Sequence, residues 1–233
     1  MNRKNDVLGI VKQYGCLVFG IVLMAASVAL AKVAKLGTSP ISSIPNVLSE
    51  LTPLTIGVWT ILFMVVLISL EWYALRQAFG WRNLIQIFPS VIFGVMIDGF
   101  VKLFDFIHPA NYLVQLALTL VSIVLLAIGV FFEVNSHTLM MAGEGVTAAF
   151  AQMKKMNFGK TKVRTDSAMV AVALIISLVV SHQLIGVREG TILSALLSGR
   201  IVGFIEEHFP ALTKWVQGKT PLPTLEEEVY FKE

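Results

Sequence analysis

Residues 36–51 read LGTSPISSIPNVLSEL, a stretch too polar for an ordinary transmembrane helix and too apolar for an ordinary loop. It follows an apolar run, opens with glycine and small polar residues, and continues with helical apolar spacing. Residues 142–153, AGEGVTAAFAQM, have the same character. We interpret both as re-entrant half-helices, because neither has the Lys/Arg-rich polar face typical of a surface helix. Surface amphipathic helices or simple loops are the alternative.

Six longer apolar segments surround these two stretches. They cover about residues 14–34, 55–75, 84–106, 112–132, 166–184 and 191–208. Each is long enough to cross a bilayer as a helix, which needs about 20 residues. The 233 residues are 56% hydrophobic and only 14% charged, with a mean hydropathy of +0.78, which excludes a soluble protein. The sequence therefore predicts an all-α membrane protein with about six transmembrane helices.

The two polar stretches occupy corresponding places in an internal repeat. Gly37 aligns with Gly145, and the preceding spans carry Gly20 and Gly129. Each half reads span, half-helix, span, span, and three spans per half imply inverted orientations in the membrane. We predict a single membrane domain with a first repeat at 1–106, a second at 107–208 and a cytoplasmic tail at 209–233. The acidic part of that tail, from Glu226, is predicted to be solvated.

The distribution of basic residues predicts the orientation. With a cytoplasmic N-terminus and six crossings, thirteen lysines and arginines fall inside. Four fall outside, namely Lys32, Lys35, Lys102 and Arg188, and Arg200 falls within the last span. This bias follows the positive-inside rule. It predicts a multi-pass protein of a bacterial inner membrane with both termini in the cytoplasm, and the scattered basic residues give no support to nucleic-acid binding.

The chain resembles the YczE/YitT-like family of small bacterial membrane proteins. The motifs that carry the resemblance are LGTSP from Leu36, TIG from Thr55, GEG from Gly143, VRTD from Val163 and REGTILSALLSG from Arg188. The family pattern often has Gly-Pro at Gly199-Arg200 and Gly-x-Gly-Thr where this chain has REGT. The resemblance implies the architecture but no reaction, because the family is largely uncharacterised.

Polar residues at membrane depth are the candidate site, since they are costly there and usually functional. Arg200 is predicted to face a central cavity and to bind a carboxylate or phosphate, with a structural pair to Glu133, Asp98 or a carbonyl as the alternative. Asp98 and Glu133 are predicted to couple an ion or proton, and an Asp98–Lys102 pair is the alternative for Asp98. The remaining predicted solute-binding residues lie at the two half-helix starts: Thr38, Ser39, Ser42, Asn135, His137 and Glu144.

The same residues have structural alternatives. Hydroxyl groups at a helix start commonly cap it, and His137 alone fits a hydrogen-bonded or interfacial residue. Arg164 and Asp166 are interpreted as an anchor and an N-terminal cap at the start of the fifth span.

No nucleotide loop, metal-ligand spacing or hydrolase motif occurs, so we predict no enzyme, cofactor or metal site. The leading hypothesis is a small secondary transporter for a polar or anionic small solute, with ion coupling as an option. The alternatives are a substrate-binding subunit of an energised uptake system and a non-transporting scaffold or regulator. The predicted partners are the solute and the lipid bilayer, with a second copy or a partner subunit as further options.

Overall fold

The computed structural model describes residues 3–76 and 79–218, which form ten helices joined by short loops and contain no strand. The helices are α1 (Arg3–Ala34), α2 (Pro40–Leu51), α3 (Ile56–Leu75), α4 (Trp81–Ile85), α5 (Ile87–Leu103), α6 (Tyr112–Asn135), α7 (Ala142–Met153), α8 (Phe158–Ser181), α9 (Glu189–His208) and α10 (Pro210–Gln217). Five stretches are long and apolar enough to cross a membrane: they lie in α1, α3, α6 and α8, and in the segment Asn83–Leu103 that spans α4 and α5. The prediction of an all-helical fold is confirmed for the described residues, and the five candidate spans support the prediction of a membrane protein.

The helices α1 and α6 pack on each other at the centre of the bundle. A Cβ added at Gly20 would lie 2.7 Å from the carbonyl oxygen of Gly129, and one added at Gly129 would lie 2.8 Å from the carbonyl oxygen of Gly20. The two backbones therefore touch. Small residues at such a crossing allow close packing, which drives helix association where lipid removes the hydrophobic driving force.

Two further glycine pairs join the outer helices. A Cβ at Gly57 of α3 would overlap the carbonyl oxygen of Gly94 of α5, and the reverse contact would be 2.7 Å. Gly159 of α8 and Gly199 of α9 form the same reciprocal contact, at 2.7 and 2.6 Å. The packing follows one scheme in both halves, because α1 packs on α5 as α6 packs on α9, and α2 packs on α8 as α7 packs on α3.

The short helices α2 and α7 are each twelve residues long and largely buried. Each is preceded by an extended residue, Ser39 or Met141, and Pro40 occupies the first helical position of α2, where its missing N–H costs no hydrogen bond. Their first turns are in contact, because a Cβ added at Gly143 would overlap the side chain of Ile41. Both residues hold the second position of their helix.

The outward faces of the long helices are apolar, whereas many interior residues are polar. Val66 and Leu70 of α3, and Ile175 and Val179 of α8, are exposed. Buried polar residues include Ser27 of α1, whose hydroxyl donates to the carbonyl oxygen of Ser122 over 2.7 Å. This distribution suits a chain whose surface meets hydrocarbon.

The fifth predicted span begins earlier than the hydropathy indicates. The side chain of Asn157 accepts hydrogen bonds from the N–H groups of Gly159 and Lys160, so α8 starts at Phe158. The interpretation of Asp166 as an N-terminal cap is therefore wrong, because Asp166 lies two turns inside α8 and is buried. Lys162, which we counted among the cytoplasmic loop charges, is likewise a buried residue of α8.

Two other segments differ in detail from the predicted spans. The third predicted span is divided at Gln86 into the short helix α4 and the longer α5. The helix α9 has twenty residues, but it holds four charged residues and is not among the five candidate spans, so a sixth crossing stays a prediction. Lys219, Lys232 and the predicted solvated tail from Glu226 lie outside the described residues, as do the side chains of Arg3, Lys4 and Arg82.

The beginning of the predicted tail is a helix packed on the bundle. Val216 of α10 is fully buried beside Cys16 and Phe131, and Gln13 donates to the carbonyl oxygen of Gln217 over 2.5 Å. Lys12 also donates a hydrogen bond to the carbonyl oxygen of Trp215. The helix α10 therefore lies beside the first turns of α1.

We predict that Gly20→Ala lowers the stability of the fold, because the new methyl group would meet backbone atoms of Gly129 and Glu133 that cannot rotate away. The expected loss is about 1–3 kcal/mol. The measurement is the midpoint of thermal aggregation of the detergent-solubilised protein. Gly15→Ala in the same helix is the matched control, since open space surrounds Gly15, and equal midpoints for the two variants would contradict the close crossing.

Candidate functional site

The candidate site begins at the connection between α6 and α7. Glu133, in the last turn of α6, is fully buried, and its Oε1 accepts a hydrogen bond from the backbone N–H of Met141 over 2.5 Å. Met141 immediately precedes α7, whose first N–H groups have no partner within the helix. A carboxylate at this place is favoured by the positive end of the helix dipole. Glu133 thus holds the start of α7 against the end of α6.

Glu144 lies in the first turn of α7 and joins a buried ion pair. The Nζ of Lys162 is 3.3 Å from Oε1 of Glu144 and 3.2 Å from Oδ1 of Asp166. The hydroxyl of Ser198, on α9, donates to Oδ2 of Asp166 over 3.1 Å. Glu133 lies within electrostatic range of both Glu144 and Lys162. We call Glu133, Glu144, Lys162, Asp166 and Ser198 the ion cluster.

The ion cluster contains more acid than base. It has three carboxyl groups and one lysine, which pairs with Glu144 and Asp166, and all four side chains are at most 3% exposed. Removing charges from water costs several kcal/mol per ion, and attraction repays this only where the charges are paired and hydrogen-bonded. With every group ionised the cluster would carry two uncompensated negative charges. Its charge therefore favours the binding of a proton or another cation.

Hydrogen bonding at the ion cluster is incomplete. The Oε2 atoms of Glu133 and Glu144 are buried and have no hydrogen-bond partner among the described residues. Most buried polar atoms in proteins do have one, and an exception calls for an explanation. These two carboxylate oxygens are therefore open to a proton, an ion or a solute.

The start of α2 also carries buried hydroxyl groups whose hydrogen bonding is incomplete. The side-chain oxygens of Thr38, Ser39 and Ser42 are buried and, within the described chain, lack partners. Ser39 precedes α2 without making a side-chain cap, so the capping alternative does not account for it. Ser42 and Glu144 occupy the same third position of their helices, and the first turns of these helices touch at Ile41 and Gly143. The structure brings the two half-helix starts together.

Asp98 and Asn135 make their hydrogen bonds outside the ion cluster. Asp98 accepts hydrogen bonds from the hydroxyl of Thr55 over 2.6 Å and from the N–H of Gly57 over 2.9 Å, at the start of α3. Asn135 donates to Oε1 of Glu206 over 3.0 Å, near the end of α9. His137 lies in the link between α6 and α7 with a φ of 51°. Their predicted roles in binding or coupling remain untested.

Arg200 also lies elsewhere than expected. Its side chain is exposed, in an open groove between α8 and α9, rather than facing the centre of the bundle. The apolar run around Arg200 indicated depth in the membrane but not which face of α9 the residue occupies. Solute binding by Arg200 stays a prediction.

Sequence reasoning missed Lys162 and Asp166 as members of the site. Opposite charges four residues apart on one helix face can pair, and that spacing was the available signal. It also missed Glu71, a buried acid near the end of α3. Glu71 accepts hydrogen bonds from Asn83 over 2.8 Å and from Gln86 over 3.1 Å, and Gln86 lies against α7 at Gly145. A further buried carboxylate, from the first half, is thus connected to α7 through Gln86.

We predict that Lys162→Met strongly destabilises the protein, because it leaves Glu144 and Asp166 buried without a counter-charge. Breaking a buried ion pair by removing one partner costs about 3–5 kcal/mol, which should lower the melting temperature in detergent by on the order of 10 °C. Lys160→Met is the control, since Lys160 is an exposed lysine of the same helix, two residues before Lys162.

The double variant Lys162→Met/Asp166→Asn tests the cause of that loss. Removing one of the two stranded carboxylates should restore part of the melting temperature. A double variant no more stable than the single one, or a Lys160→Met variant equally damaged, would contradict the pairing.

Comparison with known proteins gives a family but no function. Neither the curated proteins nor the solved structures include a match to this chain. A family model described as a family of unknown function, DUF6198, matches residues 11–207, which contain the whole ion cluster and both half-helices. Nothing in that match bears on the resemblance to the YczE/YitT-like family, which stays a prediction. The chain belongs to the DUF6198 family.

Proposed function

We propose that the protein is a small secondary transporter for a polar or anionic small solute, coupled to a proton or another cation. The observation that carries the proposal is the contact of two twelve-residue helices whose starts present buried oxygens with no hydrogen-bond partner among the described residues. In hydrocarbon such groups are costly, and they mark substrate or ion pathways in membrane proteins. Short half-helices at corresponding places in two halves are typical of a transporter's central site.

The inverted repeat is part of this proposal, and the glycine contacts support it. Gly57 and Gly159 stand at the starts of α3 and α8, and their partners Gly94 and Gly199 lie on the next long helices. Gly20 and Gly129, at corresponding places in α1 and α6, contact each other. Contact between equivalent positions is what a two-fold axis through the α1–α6 crossing would produce.

An even number of membrane crossings is also proposed. The helix α10 packs beside the first turns of α1, through Gln13 and Gln217. The two ends of the described chain then lie on the same side of the membrane. This supports α9 as a sixth crossing in addition to the five candidate spans. The basic residues favour the cytoplasm of a bacterium as that side.

The charge of the ion cluster supports proton coupling. An anionic solute would be repelled by three carboxylates facing one lysine, unless a proton or cation neutralised one of them first. Glu144 is the residue best placed for this role, since one oxygen pairs with Lys162 while the other is open. Protonation of Glu144 would allow an anion to bind the N–H groups and hydroxyls at the two half-helix starts. The proton and the anion would then cross the membrane together.

We predict that the protein carries protons only together with solute. The purified protein is reconstituted in liposomes that contain a pH-sensitive dye, and inorganic phosphate, sulfate, succinate or glycine is added outside. At least one of these should acidify the interior, and Glu144→Gln should reduce the rate at least about ten-fold, a loss equivalent to 1.4 kcal/mol. The exposed acid Glu189, as Glu189→Gln, provides the control for charge removal.

Two results would contradict this coupling. One is wild-type protein that acidifies the liposomes no faster than protein-free vesicles with all four solutes. The other is a Glu144→Gln variant that transports as fast as the wild type.

We predict that the loop after α2 and the end of α7 lie on opposite sides of the membrane. Cys16 is the single cysteine of the chain, so Cys16→Ala gives a clean background. Leu54→Cys and Met153→Cys then place thiols at exposed positions, to be probed with an impermeant reagent in right-side-out and inverted vesicles. Labelling of the two positions from opposite faces supports the inverted repeat, and labelling from one face overturns it.

A further inference from the structure

A second polar feature lies outside the ion cluster, on the surface of the α8–α9 hairpin. An open groove of about 820 Å³ runs between the two helices. Its floor is the contact of Gly159 with Gly199, where the two backbones touch. Val163 and Phe204 supply apolar walls. The groove is thus a cleft made by the glycine crossing itself.

Three cationic side chains line this groove. Lys160, Arg164 and Arg200 are all exposed, and along residues 3–76 and 79–218 no ion pair joins any of them to a carboxylate. Arg164 donates one guanidinium hydrogen bond to the sulfur of Met156 over 3.1 Å, which leaves its other donors unused. Three cations held near one another without counter-charge repel, and an anion between them would relieve that repulsion.

The positively and negatively charged side chains lie in different parts of the groove. Lys160 and Arg200 are each one residue, about 1.5 Å of rise, from the glycine crossing, and Arg164 lies about 7.5 Å along α8. Because α8 and α9 run antiparallel, Glu206 and Glu207 lie in the opposite direction, about 10–12 Å along α9 from Gly199. Glu206 also accepts a hydrogen bond from Asn135. The cationic end of the groove is therefore distinct from its acidic end.

We propose that the cationic end of this groove binds a phosphate group, with an acidic phospholipid headgroup as its source. Two guanidinium groups and an ammonium match the bidentate and point-charge contacts that phosphates receive in proteins. The apolar wall at Val163, between Lys160 and Arg164 on α8, fits an acyl chain next to a headgroup, and basic pockets between membrane helices bind acidic lipids in other proteins. The proposal does not depend on transport, since none of these residues belongs to the ion cluster.

The test is native mass spectrometry of the full chain in detergent, titrated with phosphatidylglycerol, with zwitterionic phosphatidylcholine, and separately with inorganic phosphate. The variant Arg164→Gln/Arg200→Gln should bind phosphatidylglycerol at least about ten-fold more weakly than the wild type. Lys154→Gln/Lys155→Gln removes the same charge from exposed residues outside the groove and should bind like the wild type. If the double arginine variant does not fold, Lys160→Gln replaces it.

Each outcome decides the proposal. Preferential binding of phosphatidylglycerol over phosphatidylcholine, lost only in the groove variant, supports the lipid source. Binding of inorganic phosphate with the same dependence supports the phosphate site and changes its source. Equal binding of all three probes by wild type and groove variant, or an equal loss in the Lys154→Gln/Lys155→Gln control, overturns it.

Discussion

The backbone contact between α1 and α6 is the constraint on which the other features depend. A Cβ at Gly20 would meet not only Gly129 but also the N–H of Glu133, 3.0 Å away. The crossing thus sets the position of Glu133, which holds the start of α7. From there Glu144 reaches Lys162, and Asp166 reaches Ser198 on α9. A contact between two glycines is in this way connected to a polar network that crosses four helices.

The bundle separates rigid packing from polar chemistry. At the glycine crossings no side chain intervenes and the backbones hold one another, whereas the half-helices bring carboxylate and hydroxyl oxygens into the interior. A membrane interior offers no water to satisfy such groups, so each must be paired, neutralised or used. Lys162 pairs with two acids, while Ser42 and Glu144 retain open oxygens at the same helical position. The proposed function follows from the polar groups whose hydrogen bonding is not satisfied.

Hydropathy predicted the all-helical fold and the five candidate spans well, but it predicted poorly which side chains face inward. The bounds of α7 agree with the stretch at 142–153, because its composition changes sharply at both ends. The start of α8 was missed, because hydropathy counts Lys162 and Asp166 as two charges and cannot register that they neutralise each other facing inward. Glu144 was identified at a half-helix start, but its lysine partner was not. Arg200 shows the converse error, since an apolar neighbourhood does not say which face of a helix a charge occupies.

The glycine pairs also permit the two halves to be compared position by position, and they differ in charge. Counting from Gly57 and Gly159, Lys162 corresponds to Thr60 and Asp166 to Met64, both of which are buried in α3. On the proposed inverted arrangement, inward-open and outward-open states would exchange the roles of the two halves. Identical halves would make those states equal in energy. Because the whole ion cluster stands in the second half, those two states would differ in free energy, and a resting transporter would favour one side of the membrane.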